Sequence, residues 1–321
     1  MDPSLNTDGT PGTPQIKTRT AALSVVSNSC LILLKVVAGS ITGSVAILTE
    51  AVHSSIDLVA SMVAFFSVRK AGEPADESHR YGHEKLENLA AAIEGILILV
   101  GSVAIAFQAI RHLTGGGQVQ RLGVGIAVVA FSLVANLIVS TVIERNARKT
   151  SSAALEGDAA HLRTDALTSL AVLVGLALVA ITGAQWLDPV VALLVAASIV
   201  VTGVRLLARS GRVLVDEALP AGEVAAIRGA IEQFGGRGVV GYHELRTRQA
   251  GARRYVDLHV QFRHGTSLED AHRTAHELQD VIGARLGGAD VLIHLEPQDR
   301  VRPGEELDRA TAASAAASDR D

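Results

Sequence analysis

Apolar and polar residues alternate in long blocks along most of this chain. Six apolar runs are separated by shorter polar or glycine-rich segments, and they occupy residues 21–40, 44–68, 89–113, 122–143, 166–182 and 189–207. A bilayer core about 30 Å thick needs about 20 apolar residues in a helix that crosses it. The fifth run is short unless its helix begins earlier, near Asp158. The pattern therefore predicts a membrane α-helical bundle of six transmembrane helices over residues 20–212.

The pattern changes after residue 212 to one typical of a small soluble domain. Residues 223–234 and 268–286 have the periodicity of helices, whereas residues 239–249, 255–263 and 291–295 have that of strands. In the second strand, apolar and polar residues alternate from Val256 to Phe262. The order αββαβ over residues 213–298 predicts a two-layer α+β domain with helices on one face of a sheet.

Neither end of the chain has the pattern of a folded element. Residues 1–19 are polar and contain prolines and glycines, and no apolar segment with a small-residue cleavage site follows a basic start. We predict a disordered cytosolic leader there instead of a signal peptide. Residues 299–321 are dominated by Ala, Ser, Asp and Arg without periodicity, which predicts a disordered tail.

The distribution of basic residues predicts the orientation in the bilayer. Basic residues precede the first run, follow the sixth, and occupy the loops after the second and fourth: Lys17, Arg19, Arg69, Lys70, Arg80, Lys85, Arg145, Arg148, Lys149, Arg205, Arg209 and Arg212. The opposite loops carry only Arg111 and Arg121. By the positive-inside rule both termini are cytoplasmic. We therefore expect a multi-pass protein of the cell (inner) membrane.

Composition narrows the chemistry of any site. The apolar fraction is 48% but aromatic residues make up only 3%, which is typical of closely packed membrane helices. A net charge of −4 gives no indication of a nucleic-acid partner. The single cysteine, Cys30, excludes an intramolecular disulfide and a thiolate cluster, so a metal site here would use nitrogen and oxygen ligands.

Two His-x-x-x-Asp pairs are the sharpest chemical signal. His53 with Asp57 lies inside the second run, and His161 with Asp165 lies at the start of the fifth. Residues four apart share one face of a helix, so two such pairs offer two imidazole nitrogens and two carboxylates to a divalent ion such as zinc. A carboxylate inside a bilayer costs about 2.5–3.5 kcal/mol, which favours a functional role over an aspartate that reaches the interface. Protons compete with metal for imidazole, so such a site can couple metal movement to a proton gradient.

Two further groups of residues could bind metal. The loop before the third run contains Asp76, His79 and His83, although a solvated loop explains this pattern as well. The C-terminal domain carries four patterned histidines, and His294 and Glu296 share one face of a strand; scattered surface histidines are the alternative. These histidines are His243, His259, His272 and His294.

Some polar residues have no definite assignment from the pattern. Four lie inside apolar runs and are either packing groups or pathway groups: Asn28, Lys35, Glu94 and Asn136. His112, His264 and His276 have no evident role.

These motifs resemble those of the cation diffusion facilitator family of metal/proton antiporters. The most specific are His53-x-x-x-Asp57, the segment from His79 to Glu87, the segment from His161 to Asp165, and Leu187-Asp188-Pro189. The resemblance covers about residues 20–298. It implies a homodimer with six membrane helices per protomer and a cytoplasmic ferredoxin-like domain with the order αββαβ.

The resemblance also implies roles for individual residues. The second and fifth helices of the family supply the transport site, which maps here onto His53, Asp57, His161 and Asp165. A histidine at position 53 resembles the zinc-preferring branch, with cadmium and cobalt tolerated. Asp76, His79 and His83 match the family's loop site, and the zinc pair of its cytoplasmic domain maps onto His243, His259, His272, His294 and Glu296. Glu296 replaces an aspartate there, and Lys85 and Asp216 match a charge interlock between protomers.

The expected function is export of zinc from the cytoplasm in exchange for protons by alternating access, with no enzymatic activity. A preference for iron, cobalt or manganese within the same family is the nearest alternative. A non-transporting membrane metal sensor is a second, although it would not need two charged pairs inside the membrane. An intramembrane metalloprotease is excluded because neither His83-Glu84 nor His276-Glu277 continues as His-Glu-x-x-His.

Overall fold

The structure, a computed structural model, describes residues 13–42, 45–115, 123–184 and 186–300. It divides into two compact units, one ending at Leu214 and the other beginning at Val215. The predicted tail after residue 300 and the first 12 residues of the predicted leader lie outside the described part of the chain.

The described part of the first unit contains six long helices, in agreement with the six apolar runs. They are α1 (Thr13–Thr42), α2 (Val45–Ala71), α3 (Lys85–Gly115), α4 (Gly123–Thr150), α5 (Ala153–Thr182) and α6 (Leu187–Leu214). Within the described residues, five of them are long and apolar enough to cross a membrane: α1, α3, α4, α5 and α6. Several side chains of α2 lie outside the described set, and α2 is not among these five.

The first helix begins before the predicted boundary at residue 20. Thr13 starts α1, so residues 13–19 are helical where the sequence predicted a disordered leader. Pro14 is compatible with this start because the first turn of a helix needs no amide hydrogen there. Lys17 Nζ lies 2.7 Å from Glu87 Oε1 on α3, and this ion pair stabilises the N-terminal part of α1 against the helical bundle.

The fifth helix also begins earlier than its apolar run. Ser152 is the N-cap of α5, and its side chain accepts a hydrogen bond from the Leu155 amide. The helix closes at Gly183, which has a φ of 72° and donates its amide hydrogen to Val179 O at 2.8 Å. The early start places His161 and Asp165 inside α5. It also gives the helix the length that the short fifth apolar run lacks for crossing a bilayer.

Helix packing in the first unit brings α2, α3 and α5 together. The main contacts join α3 to α6, α1 to α2 and α4 to α5, and α5 also contacts α3 and α2. At Gly203 of α6, an added Cβ would lie only 2.9 Å from Leu99 Cγ of α3, so glycine permits this close approach. Small residues at such crossings are typical of membrane helix packing.

The second unit is an α+β domain with the predicted αββαβ order. It contains α7 (Ala221–Glu232), β1 (Val239–Ala250), β2 (Arg253–Phe262), α8 (Leu268–Arg285) and β3 (Asp290–Pro297). The sheet has the order β1-β2-β3, with β1 antiparallel and β3 parallel to β2. Its core joins one face of the sheet to both helices through residues such as Ile227, Val256, Leu258, Leu278 and Ile282. The ferredoxin-like fold class predicted for this domain is confirmed.

Candidate metal-binding sites

The first cluster lies within the helical bundle. It consists of Asp57 on α2 and of His161 and Asp165 on α5, with one ligand atom from each within 4.8 Å of the others. His161 Nε2 lies 3.3 Å from Asp57 Oδ1 and 3.8 Å from Asp165 Oδ2. Asp57 and His161 are buried and Asp165 is half-buried. One imidazole nitrogen and two carboxylates are suitable ligands for a divalent cation such as zinc. We call these three residues the membrane cluster.

The fourth predicted ligand of this cluster cannot be placed. His53 belongs to α2, four positions before Asp57, but its side chain lies outside the described residues. Its role as a ligand stays a prediction.

A third helix contributes a carboxylate to the surroundings of His161. Glu94 of α3 is 0% exposed, and its Oε2 atom lies 3.5 Å from His161 Nδ1. This nitrogen is on the opposite side of the ring from Nε2, which points to Asp57 and Asp165. Among the described residues, the two side-chain oxygens of Glu94 have no hydrogen-bond partner, and His161 Nδ1 has none either.

A buried polar network lies one helical turn before His161. Asp158 Oδ1 accepts hydrogen bonds from Ser24 Oγ at 2.9 Å and from Ser61 Oγ at 3.1 Å. Asn28 Nδ2 donates to Ser61 Oγ at 2.7 Å. These contacts connect α1, α2 and α5, so they fix the positions of the two helices that carry the membrane cluster.

The second cluster lies in the loop between α2 and α3. Asp76 Oδ1 is 3.3 Å from His79 Nδ1, and Asp76 Oδ2 is 3.3 Å from His83 Nε2. The two imidazole rings are 4.5 Å apart between their centroids. His83 is buried, and neither of its ring nitrogens has a hydrogen-bond partner within the described part of the chain. A divalent cation would satisfy this buried ring, so the residues fit the predicted loop site.

Local backbone geometry forms the loop cluster. Asp76 Oδ1 accepts hydrogen bonds from the His79 amide at 2.6 Å and from Ser78 Oγ at 3.0 Å. Gly82, with a φ of 88°, closes the turn by donating its amide hydrogen to His79 O at 2.9 Å, which returns His83 toward His79. The backbone hydrogen bond from His79 and then the Ser78 hydroxyl lower the pKa of Asp76 to about 2. Asp76 is therefore a carboxylate at neutral pH.

The third cluster crosses the sheet of the C-terminal domain. His243, His259 and His294 are paired in register on three neighbouring strands. Glu296 Oε2 lies 2.7 Å from His243 Nε2, and Glu296 Oε1 lies 2.8 Å from His259 Nδ1. His294 Nε2 is 3.7 Å from Glu296 Oε1. Burial opposes the ionisation of Glu296, but the hydrogen bonds with His243 and His259 outweigh it and lower the pKa. We call these four residues the sheet cluster.

The fifth residue predicted for this domain, His272, has a different neighbour. It lies on α8 with its Nε2 atom 3.1 Å from His276 Nε2, one turn along the helix. The converging ligand atoms of the described protomer come from His243, His259 and Glu296 and do not include His272. The assignment of His272 to the sheet cluster stays a prediction.

The predicted charge interlock also remains a prediction. Lys85 begins α3 in the first unit, and Asp216 belongs to the second unit. Within its own unit, Asp216 Oδ1 lies 3.6 Å from Arg248 Nη1.

Sequence reasoning missed three chemically notable residues. The sequence pattern gives Glu94 either a packing role or a pathway role, and it makes Asp158 only a possible helix start. Both are acidic residues on faces that contact other helices, which the sequence pattern of one helix does not reveal. His276 had no assigned role, although its spacing of four from His272 was a usable signal.

Comparison with protein families shows which family of proteins this chain belongs to. The family description "Cation efflux transmembrane domain" matches residues 21–215, and "Cation efflux protein, cytoplasmic domain" matches residues 219–298. The chain belongs to the cation diffusion facilitator family of cation efflux proteins. Members of this family are membrane transporters of metal cations and are not enzymes.

Curated relatives match over most of their length. An uncharacterized transporter from Synechocystis, sll1263, is 34% identical over 277 residues, which cover 86% of this chain and 89% of that protein. The cation-efflux pump FieF from Serratia proteamaculans is 35% identical over 289 residues, covering 90% of this chain and 95% of the pump. FieF from Yersinia enterocolitica is 35% identical and covers 87% and 92% of the two chains.

Two solved structures match a smaller part of the chain. The zinc form of CzrB is 35% identical and covers 27% of this chain and 98% of that structure, with a TM-score of 0.25. The metal-bound C-terminal domain of the CzcD transporter from Thermotoga maritima is 24% identical and covers 26% and 100%, with a TM-score of 0.24. The fold described above does not depend on either match.

Proposed function

We propose that this protein exports zinc from the cytoplasm in exchange for protons by alternating access. The observation that carries the proposal is the convergence of Asp57, His161 and Asp165 inside the helical bundle of a cation efflux protein. Charged groups inside a membrane domain are costly unless they have a function, and these three come from two different helices, α2 and α5.

The ligand chemistry favours zinc over harder cations. Imidazole is a common zinc ligand, whereas manganese and magnesium prefer oxygen ligands alone. His161 supplies one nitrogen, and a second nitrogen from His53 would complete a tetrahedral set with Asp57 and Asp165. Cadmium and cobalt accept similar ligands, so we expect the protein to transport them as well.

The same ligands support coupling to protons. Zinc binds deprotonated imidazole and carboxylate groups, so loading the membrane cluster from the cytoplasm displaces protons. Release on the other side allows protons to return to the cluster. Each cycle thereby exchanges zinc for protons without a covalent step.

The C-terminal domain supports a regulatory role in a homodimer. Residues 219–298 match the cytoplasmic domain of the family, and the basic residues of the loops favour cytoplasmic termini in the inner membrane. We propose that zinc bound at the sheet cluster tightens the dimer when cytoplasmic zinc is high. Zinc at the loop cluster would hold Asp76, His79 and His83 together beside α3.

The test is metal uptake into proteoliposomes under an imposed pH gradient. Zinc, cadmium, cobalt, iron and manganese are compared at equal free concentrations, with the parent protein and His53→Asp. We expect zinc to be transported fastest by the parent, and we expect the substitution to broaden the preference because it replaces nitrogen by oxygen.

Other outcomes would contradict different parts of the proposal. If iron or manganese were transported fastest, the zinc assignment would be wrong while the transport mechanism stood. If no metal moved in response to the gradient, the protein would be better described as a membrane metal sensor. An unchanged preference in His53→Asp would remove His53 from the set of ligands.

A further inference from the structure

We propose that Glu94 is a positioning residue of the membrane cluster, which accepts the Nδ1 hydrogen of His161 and so directs the Nε2 lone pair at the metal. The proposal rests on the transport function proposed above, because it assigns a role to a residue beside that site. Glu94 lies on α3, whereas the ligands of the membrane cluster lie on α2 and α5.

The geometry around the imidazole ring carries the argument. One edge of the ring, at Nε2, is directed toward Asp57 and Asp165, and the other edge, at Nδ1, is 3.5 Å from Glu94 Oε2. An imidazole that donates from Nδ1 has its lone pair at Nε2, so an acceptor at Nδ1 selects the tautomer that can bind metal on the correct side. Glu94 is on the side away from the converging ligand atoms, so its position suits orientation of His161 and not direct ligation.

Glu94 is fully buried, which favours a specific role for its carboxyl group. Its side chain is 0% exposed, and neither of its oxygens has a hydrogen-bond partner among the described residues. A buried carboxylate without a partner is strongly unfavourable. His161 Nδ1, which likewise has no hydrogen-bond partner in the described part of the chain, is the nearby group that can satisfy it after a small rotation of either side chain.

The packing of α3 against α5 holds Glu94 in place. Gly157 on α5 is four residues before His161, and an added Cβ there would lie 3.1 Å from Ala91 Cα, 3.1 Å from Glu94 Cγ and 3.2 Å from Glu94 Cβ, all on α3. The absence of a side chain at Gly157 therefore allows Glu94 to approach the ring. A methyl group at this position would press on Glu94 and on the α3 backbone at Ala91 without altering any ionisable residue.

The experiment uses four variants of the full-length protein. Glu94→Gln keeps an oxygen acceptor for Nδ1, whereas Glu94→Leu removes the acceptor at similar volume. Gly157→Ala pushes against Glu94, and Gly101→Ala on α3 is its matched control because an added Cβ at Gly101 meets nothing within 4 Å. Zinc uptake is measured as KM and kcat in proteoliposomes.

A spectroscopic measurement accompanies the kinetics. Cobalt absorption is recorded in purified protein that also carries His79→Ala and His259→Ala, so that the loop and sheet clusters each lack a ligand. Loss of a correctly oriented His161 would let water replace it and would weaken the absorption bands typical of tetrahedral cobalt. The cobalt absorption spectrum reports the geometry of the metal ligands. It would not change if Glu94 only stabilised the fold.

The expected result is a rise in KM for zinc in Glu94→Leu of about 10- to 100-fold, with weaker cobalt bands. Glu94→Gln should remain closer to the parent than to Glu94→Leu, Gly157→Ala should raise KM, and Gly101→Ala should match the parent. A parental KM and cobalt spectrum in Glu94→Leu would overturn the inference, as would Glu94→Gln being as impaired as Glu94→Leu.

Two controls separate this inference from the proposed function and from misfolding. If the parent transports no metal, the proposed function fails, and the cobalt spectra still decide whether Glu94 orients His161. If Glu94→Leu does not fold, Gly157→Ala with its Gly101→Ala control gives the same decision, because both variants keep every charged group.

Discussion

A carboxylate oxygen lies beside an imidazole nitrogen in each of the three clusters. The distances are 3.3 Å between Asp57 and His161, 3.3 Å between Asp76 and His83, and 2.7 Å between Glu296 and His243. The two members of such a pair contact each other, and both can turn to a divalent cation when one binds. The same residue chemistry thus recurs in the bundle, in the loop and on the sheet.

Asp76 gives a prediction about pH. Hydrogen bonds from the His79 amide and the Ser78 hydroxyl lower its pKa to about 2 from a usual value of 3.8. A depressed pKa in the folded protein stabilises the loop above pH 3.8, and this contribution disappears as the pH falls through about 2. Asp76 therefore stays ionised throughout the range in which protons and zinc compete for His79 and His83.

We expect Asp76→Asn to weaken zinc binding at the loop throughout the range from about pH 5 to about pH 8, because Asp76 is an ionised ligand over all of it. The measurement is a zinc titration of protein that carries Asp57→Asn and His259→Ala, so that the loop is the intact cluster under study. Ser78→Ala serves as the control that weakens the hydrogen bonding of Asp76 and keeps its carboxylate. Zinc binding as tight in Asp76→Asn as in this parent would remove Asp76 from the loop cluster.

The helices and strands were largely predictable from the sequence. The six apolar runs and the αββαβ order are confirmed. Both were predictable because the thickness of a membrane sets the length of an apolar run, and a half-buried strand alternates apolar and polar residues. The starts of α1 at Thr13 and of α5 at Ala153 were not predictable from the apolar runs, because polar residues separate these first turns from the runs, at 17–20 in α1 and at 156–158 in α5. They are held by contacts made elsewhere, namely Lys17 with Glu87 and Ser152 with the Leu155 amide.

The sites were predictable only to the extent that one helix determines them. Spacing of four placed His161 and Asp165 on one face, and the family resemblance joined them to Asp57. The approach of Glu94 to His161 depends on the crossing of α3 and α5 at Gly157. The residue pattern of α3 alone does not predict where these two helices cross. The contact of His272 with His276 follows from their spacing of four on α8, but that spacing alone does not indicate a role for His276.

Ser152 gives a prediction for the start of α5. Its hydroxyl donates to the buried Glu87 Oε2 at 2.5 Å and also accepts from the Leu155 amide at 3.4 Å. Replacing a serine N-cap by alanine costs about 0.5–2 kcal/mol, and Glu87 would lose a hydrogen bond in addition. We expect Ser152→Ala to lower the free energy of unfolding of the purified protein in detergent.

Ser152→Thr is the matched variant because it keeps the hydroxyl group. Thermal unfolding should place it close to the parent and above Ser152→Ala. Equal melting temperatures for the alanine and threonine variants would show that the hydroxyl does not stabilise the start of α5.

On the scale of the whole molecule, the proposal that zinc at the sheet cluster tightens a dimer can be tested directly. Glu296 contacts both His243 and His259 through separate oxygens, so it is the residue on which the sheet cluster depends most. If zinc there tightens the dimer, its removal should shift purified protein toward monomer. Sedimentation in detergent over a series of protein concentrations, with and without a chelator, measures this shift.

Glu296→Gln should abolish the effect of zinc on the dimer, because an amide is a poor zinc ligand. Glu269→Gln, at an exposed position in the first turn of α8, is the control and should respond to the chelator as the parent does. A parental response in Glu296→Gln would separate dimerisation from the sheet cluster.

The most direct test of the central claim measures protons while zinc moves. Proteoliposomes that contain a pH indicator receive a zinc gradient without a pH gradient, and the parent is compared with Asp57→Asn and with Glu156→Gln. Glu156 is a carboxylate on the same helix as His161, but it pairs with Arg209 at 2.6 Å away from the membrane cluster. We predict that zinc entry makes the lumen alkaline in the parent and in Glu156→Gln, whereas Asp57→Asn shows neither zinc entry nor a pH change. Zinc entry without a pH change in the parent, or parental exchange in Asp57→Asn, would contradict zinc/proton antiport at this cluster.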